Sequence, residues 1–371
     1  MTMTKFHVQN NAIHVILKTT SNWNVAYPDG ADENNTTLTV KKRINGNNVP
    51  YFPANGLRGR FRRYIAKRAI DAMVSTQGQL SLETHIALQS GSSHTQPDKA
   101  NSSIEELVRA SEHIYMGVFG GGSRMLESRY AVSDIHPILN STVENGVVQA
   151  PLALVQEIIE KQNFGIDGDV KQLQPYQIVE RRSFIKVDDI SRGNNIVDVT
   201  QNVEGGESAI ADYLEGVSKN QQERKTQKSK GEDVAKKLTL GNILGVESIC
   251  AGVDMHFRID VSPDLTEAQV GALLVALEDL ANVNYLGGWG RTGFGRFKIS
   301  AIHADLPALD ISETIVDELY QGEHFSFDYT SLSSLTAEAH EAIQAIDKEE
   351  MIDYFTPREV AIKRGKDKLK G

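Results

Sequence analysis

Cysteine is almost absent from this chain. One residue, Cys250, among 371 leaves no internal disulfide to form, so a packed core must hold the fold and the cytoplasm is the expected location. Long apolar runs are missing as well. The longest, 270–281, is interrupted by Glu278 and Asp279 and reads as a core helix rather than a membrane span. Residues 1–11 lack a basic segment followed by an apolar one, so neither a secretory signal nor a transit peptide is expected. Basic charge is in short supply overall, with 39 Lys and Arg against 49 Asp and Glu for a net charge of −10. That balance argues against a protein that clings to phosphate over its whole surface.

Several chemistries lack their residues. No G-x-x-x-x-G-K-[S/T] occurs, which removes the P-loop reading. The ten histidines are scattered, with no H-E-x-x-H, no His-x-His and no cysteine partner, so a transition-metal site is not expected. No cofactor is implied. A literal G-x-G-x-x-G does occur at Gly288, Gly290 and Gly293 in NYLGGWGRTGFGRFKIS, residues 284–300. A dinucleotide fold needs strand, glycines, then helix, because the pyrophosphate sits on the helix N-terminus. Here a helical pattern comes first and a strand pattern follows, so the fingerprint loses its usual meaning.

What is present is basic charge gathered into a few places. LRGRFRRYIAKR, residues 57–68, carries Arg58, Arg60, Arg62, Arg63, Lys67 and Arg68 and no acid. The run 219–237 adds seven basic residues against three acids. Clusters of this kind on an acidic chain suggest a defined anionic track. Leu57, Phe61, Ile65 and Ala69 recur at helical spacing within the first cluster, so it reads as an amphipathic helix with Asn55 as N-cap and a cationic face. A solvated cationic face is the plainest account of such a helix. Six like charges without a compensating acid repel one another, however, and point instead to a bound anion.

The glycine stretch admits a similar choice. A long turn explains one or two glycines; five of them beside Trp289, Arg291 and Arg296 suit a loop laid against a ribose-phosphate chain. Glycine lets backbone amides approach, arginine supplies forked donors, and an aromatic can stack on a base. GVFGGGS, residues 117–123, is another glycine cluster ahead of a strand.

Around these motifs the pattern is mixed. Alternation predicts paired strands over 5–20, a polar loop over 22–35 with turn chemistry at Pro28, Asp29 and Gly30, and a hairpin over 37–52 turning at Asn45 and Gly46. Helical stretches follow over 81–117. Strands are expected near 130–138, 176–190 and 252–261, then a helix over 265–283 and a strand over 295–300. The order suggests an α+β fold with a ferredoxin-like, RNA-recognition-motif-like sheet. Acidic residues near Asp29, Asp32 and Glu33 could hold Mg²⁺, although an ordinary solvated loop is the simpler reading.

Three of these features, in this order, resemble the RAMP superfamily of CRISPR-associated proteins. YFPANGLRGRFRRYI (51–65) is similar to its Pro-x-x-x-Leu-Arg/Lys-Gly signature, GVFGGGS to its Phe-Gly segment, and GGWGRTGFGRF (287–297) to its C-terminal glycine-rich loop. Within the superfamily the chain looks most like the backbone subunit, Cas family seven, in its type IV version.

The resemblance implies a palm with an RNA-recognition-motif-like fold over residues 1–305, a helical finger insertion near 76–128 and a thumb near 176–250. A partly helical extension with a basic tail would occupy 306–371. It implies copies of the chain lined along a CRISPR guide RNA, with other effector subunits, and pairing of the guide with target DNA or RNA; no membrane is involved. Carried over by motif, Arg58, Arg60, Arg62, Arg63 and Lys67 would face guide phosphates, joined by Gly120, Gly121, Ser123, Arg124, Gly288, Trp289, Gly290, Arg291 and Gly293. Arg181, Arg182, Phe184, Lys225 and Lys228 would belong to the thumb. Type III relatives cleave target RNA with an aspartate in the loop before the signature, whereas Thr36, Thr37, Leu38 and Thr39 stand there in this chain. The resemblance therefore implies a non-catalytic scaffold, with Asp29 and Asp32 as the weak catalytic candidates.

Overall fold

Along β1 (Ala12–Thr19), Ile13, Val15 and Leu17 alternate with His14, Ile16 and Lys18, and each set faces a different side of a sheet. The computed structural model describes residues 11–31, 36–92, 103–123, 125–162, 164–166, 169–187, 204–213, 215, 241–316 and 319–356. These fall into two units, one of 1–25, 40–179 and 249–371, the other of 26–39 and 180–248.

The first unit is built on an antiparallel sheet. β1 lies between β12 (Asp254–Val261) and β13 (Phe297–Leu306), β6 (Tyr130–Val132) and β7 (His136–Pro137) pair with β12, and β14 (Ile311–Ile315) extends the far edge from β13. Two helices complete a β-α-β-β-α-β succession, α1 (Ala54–Gln77) after β1 and α7 (Glu267–Val283) after β12. That is the α+β, ferredoxin-like arrangement expected from the sequence. Leu57, Phe61, Ile65 and Met73 of α1 and Leu273, Leu274 and Leu277 of α7 join Ile13, Val15 and Leu17 in one core. The hairpin of β4 (Lys41–Ile44) and β5 (Asn47–Pro50) turns at Asn45 and Gly46, both at positive φ, as an Asn-Gly turn does.

The opposite face of the sheet is partly covered by Val148 and by Val155 of α6 (Leu152–Gln162), packed on Ile16 and Ala301. Beside that patch His14 is buried with its Nδ1 3.2 Å from His256 Nε2. His303 packs against His14, and His136, opposite His256 in the register, stacks on Tyr51. Four of the histidines scattered in the sequence thus form one row across the strands.

The core does not end near 305. Ile315, Phe325, Phe327, Leu335 and Ile343 belong to it, as do Met351, Tyr354 and Phe355. They come from β14, from α8 (Ser333–Gln344) and α9 (Lys348–Phe355), and from the chain between. Residues 76–128 include α2 (Leu82–Ser90), α3 (Ile104–Glu112) and the single turn α4 (Met116–Phe119).

The second unit contains a sheet of order β10 (Val179–Val187), β11 (Gly241–Ile249), β3 (Thr36–Thr39) and β2 (Ala26–Ala31). The segment expected as a polar loop over 22–35 therefore contributes a strand through Pro28, Asp29 and Gly30. Its place at the sheet edge explains the difference: proline lacks an N–H but an edge strand pairs on one side only, and β2 shifts register against β3 between Ala26 and Ala31.

Candidate nucleic-acid interface

α1 begins one residue before the expected cap. Pro53 is the N-cap, Asn55 makes no cap, and the Ala54 N–H donates instead to Asp134 Oδ1 at 2.9 Å. A carboxylate from the β6–β7 connection thus does the work of a local cap at the positive end of the helix.

The basic residues of α1 divide by partner. Arg68 donates through Nε and Nη2 to the two carboxylate oxygens of Asp279 at 2.7 Å each, a forked pair that ties α1 to α7. Lys67 pairs with Asp71 across one turn on the exposed surface. Arg58, Arg60, Arg62 and Arg63 form no ion pair among the described residues, although they stand within two turns of the same helix. They supply the uncompensated charge.

Arg58 lies over the Tyr130 ring, 5.9 Å from its centroid, and donates to Ser128 Oγ at 3.1 Å, while its Nε has no hydrogen-bond partner. It lines two clefts. The larger, about 920 Å³, runs past Asn55, Arg129, Tyr130 and Asp260, and the smaller, about 340 Å³, past Arg62, Arg63 and Gly91. Asn55, Arg58 and Tyr130 line both, so the two clefts share a wall at the start of α1.

The segment 120–123 forms one wall. Arg62 donates to the Phe119 carbonyl and its guanidinium threads between Gly91 and Gly121. A Cβ on Gly121 would lie 2.1 Å from Gly91 O and 3.0 Å from Arg62 Nη1, at a φ of +96°. Glycine is required there by close approach around the arginine side chain. Gly121→Ala is therefore expected to destabilise the protein by about 2 kcal/mol and to displace Arg62. Gly293→Ala, where a Cβ meets open space, should cost about 1 kcal/mol; urea denaturation of the two variants compares them. Ser123 is buried, with its N–H 2.9 Å and its Oγ 3.2 Å from Tyr354 O. Its hydroxyl faces the interior, although the resemblance implies Ser123 among the RNA contacts.

Tyr285 organises the other glycine loop. Its hydroxyl donates to Gly287 O at 2.5 Å, and its ring sits against Gly290 and Gly295, where a Cβ would come within 2.4 and 2.8 Å of ring carbons. Arg60 lies 5.7 Å from the centroid of that ring. The loop base is bound to residues 22–24, with Gly288 N–H donating to Asn24 O at 2.9 Å and Gly295 N–H to Asn22 O at 2.7 Å. Arg296 donates to Val283 O at 3.2 Å and to Asn284 Oδ1, closing the end of α7. Arg291 and Gly293 are exposed at the tip and Trp289 is half-exposed.

α1 therefore stands between the two glycine segments, touching one through Arg62 and the other through Arg60. In the second unit Arg181 pairs with the buried Glu247 at 3.3 Å and Arg182 with Glu180. Phe184 lies in β10 and Asp29 in β2, whereas Arg124, Lys225, Lys228 and Asp32 lie outside the described residues. No group of three or more His, Cys, Asp and Glu suited to a metal ion occurs among the described residues. No described helix is long and apolar enough to cross a membrane.

Sequence reasoning missed Tyr130, Tyr285 and Gly91. Tyr285 had a local signal, an aromatic residue directly ahead of spaced glycines. Tyr130 and Gly91 had none, because their roles depend on Arg58 and Arg62, tens of residues away.

A family model described as the RAMP superfamily matches residues 2–298. Among solved structures, a chain described as "Type IV-B CRISPR Complex" aligns over 86% of this chain and 97% of its own, at 15% identity and a TM-score of 0.42. No curated protein matches the sequence.

Proposed function

This chain belongs to the RAMP superfamily, and from that premise we propose that it is the guide-RNA-binding backbone subunit of a type IV CRISPR effector complex. It binds the phosphates of the guide along α1, lines up head to tail with further copies and other effector subunits, and presents the guide for pairing with a target. Base pairing reads the sequence while the protein grips backbone and shape. Head-to-tail contacts that do not close would extend the filament. The observation that carries this reading is the set of four arginines without carboxylate partners among the described residues, Arg58, Arg60, Arg62 and Arg63, on one helix between two glycine segments of an acidic chain.

The test is direct. Purified protein is expected to show a raised 260/280 nm absorbance ratio and to release RNA of defined sequence; a nucleic-acid-free preparation that also fails to bind added RNA would count against the reading.

The scaffold is proposed to be non-catalytic. Thr36–Thr39 forms β3, where the slicing relatives implied by the resemblance carry their aspartate. Labelled target RNA incubated with assembled complex and Mg²⁺ is expected to remain intact. Regularly spaced cuts, lost in Asp29→Ala or Asp32→Ala, would show an endoribonuclease instead.

A further inference from the structure

The chain enters α1 through a hairpin that carries charge of the same sign. From Lys41 to Ile70 no acidic residue occurs, and Lys41, Lys42 and Arg43 of β4 open that stretch. The hairpin is firmly placed. Val40, Ile44 and Val49 share one side of it and are buried, and Phe52 and Ile135 exchange N–H···O bonds of 3.0 and 2.9 Å just before α1 begins. Lys42 lies on the same side, as strand alternation requires, and its Nζ meets Asp134 Oδ2 at 3.4 Å. The other oxygen of that carboxylate accepts from the Ala54 N–H, so one side chain separates the ammonium from the first turn of α1. Arg43 points to the opposite side, facing Asn48 in the register. Both are exposed, and Arg43 forms no ion pair among the described residues.

We propose that the β4–β5 hairpin is a second phosphate contact for the bound RNA, one that continues the track of α1 past its N-terminal end. The inference rests on the RNA-binding reading above. Ala54 and Asn55 line the larger cleft together with Arg58, so Lys42 stands where that cleft meets the start of α1. Asp134 already occupies the Ala54 amide, and a phosphate arriving there must be held by side chains. Lys42 offsets the Asp134 carboxylate through an exposed pair of the kind that holds its partners weakly, and Arg43 supplies the charge that nothing balances. Residues directly opposite in an antiparallel pair lie close enough to act together. Arg43 and Asn48 thus offer a forked guanidinium and an amide N–H to one phosphate. Because the Asn45-Gly46 turn is tight, the hairpin presents them at little cost in ordering.

Fluorescence titration of a labelled single-stranded RNA of about 30 nucleotides across a salt series tests the hairpin. Three full-length proteins are compared: the parent, the double variant Lys42→Gln with Arg43→Gln, and Asn48→Asp, which sets a carboxylate opposite Arg43 and leaves both basic residues in place. The double variant is expected to bind more weakly than the parent, with a slope flatter by about 1.4 log units per log unit of salt, at roughly 0.7 per phosphate contact. Asn48→Asp should lose about half as much slope, as one contact is neutralised. Urea midpoints of both variants should match that of the parent, since the buried side of the hairpin is untouched. Parental slopes in both variants, with the parent binding RNA normally, would overturn the hairpin contact alone. Variants that keep the parental slope but no longer line up in several copies along a longer RNA would overturn it too, making the hairpin a contact between proteins. A parent that binds no RNA would overturn the hairpin and the RNA-binding reading together.

Discussion

Exchanging Arg58, Arg60 and Arg62 for glutamine is expected to flatten the salt dependence of RNA binding by about 2 log units per log unit of salt, from roughly 0.7 per phosphate contact. At low salt the loss of affinity should be large, and it should shrink as salt rises, because the lost term is counterion release. The three positions differ in their second role. Arg60 rests on an aromatic ring and Arg58 on Ser128 and Tyr130, so single changes there should leave the denaturation midpoint nearly unmoved. Arg62 fills the gap between Gly91 and Gly121, so its replacement should also lower stability. Arg68→Gln is the control. It leaves Asp279 without its forked partner and should cost about 1–3 kcal/mol of stability while leaving the salt slope alone. A triple variant with the parental slope would remove α1 from the RNA track.

That contrast between Arg62 and Arg68 marks where sequence reasoning reaches its limit. The apolar stripe of α1 is a local signal, and Leu57, Phe61, Ile65 and Ala69 are all buried as their spacing implies. The Asn45-Gly46 turn and the order helix, glycines, strand around Gly288 are local as well. Charge partners are not local. Arg68 and Lys67 are adjacent in sequence with the same charge, but one meets Asp279 from 211 residues away and the other only Asp71 in the next turn. Glycine clusters are similarly ambiguous. Gly91 and Gly290 are glycines because Arg62 and the Tyr285 ring occupy the space a Cβ would need, and Gly121 because the Gly91 carbonyl does, reasons invisible until the chain is folded. The hydroxyl of Ser123 is taken by a carbonyl 231 residues away.

The histidine row shows the same limit from the opposite side, since scattered residues become one group through register alone, and it carries the other large effect. Lowering the pH from 6.5 to 5 is expected to cut the stability of the folded chain steeply. Burial, the dominant cause, lowers the pKa of His14 to about 4, with Arg258 and His303 adding to the shift and Asp305 opposing it. It lowers His256 to about 3, aided by His14, His136 and Arg258. His136 falls to about 4 for the same reason, with Lys42 assisting and Asp134 opposing.

The unfolded values lie near 6.5, so the folded pKa is the lower one at each site. Above that pH the three rings are neutral in both states and carry no penalty. Below it the unfolded chain takes up protons that the folded chain refuses, and stability falls by about 1.4 kcal/mol per pH unit for each histidine. Because each unfolded ring is only half protonated at pH 6.5, three such groups over 1.5 units remove on the order of 5 kcal/mol, comparable to the total stability of many domains. Urea midpoints measured between pH 6.5 and 5, above the ordinary carboxylate range, report this effect together with that of His113, which burial also lowers to about 4, and of His340, which burial also lowers; the His256 variant separates the row from them. His256→Gln should reduce the slope by about one proton, whereas a flat parental profile would mean that this face of the sheet admits water and protons. RNA binding should stay nearly constant from pH 8 to 6.5, because His14, His136 and His256 stay neutral there and arginine does not titrate in that range.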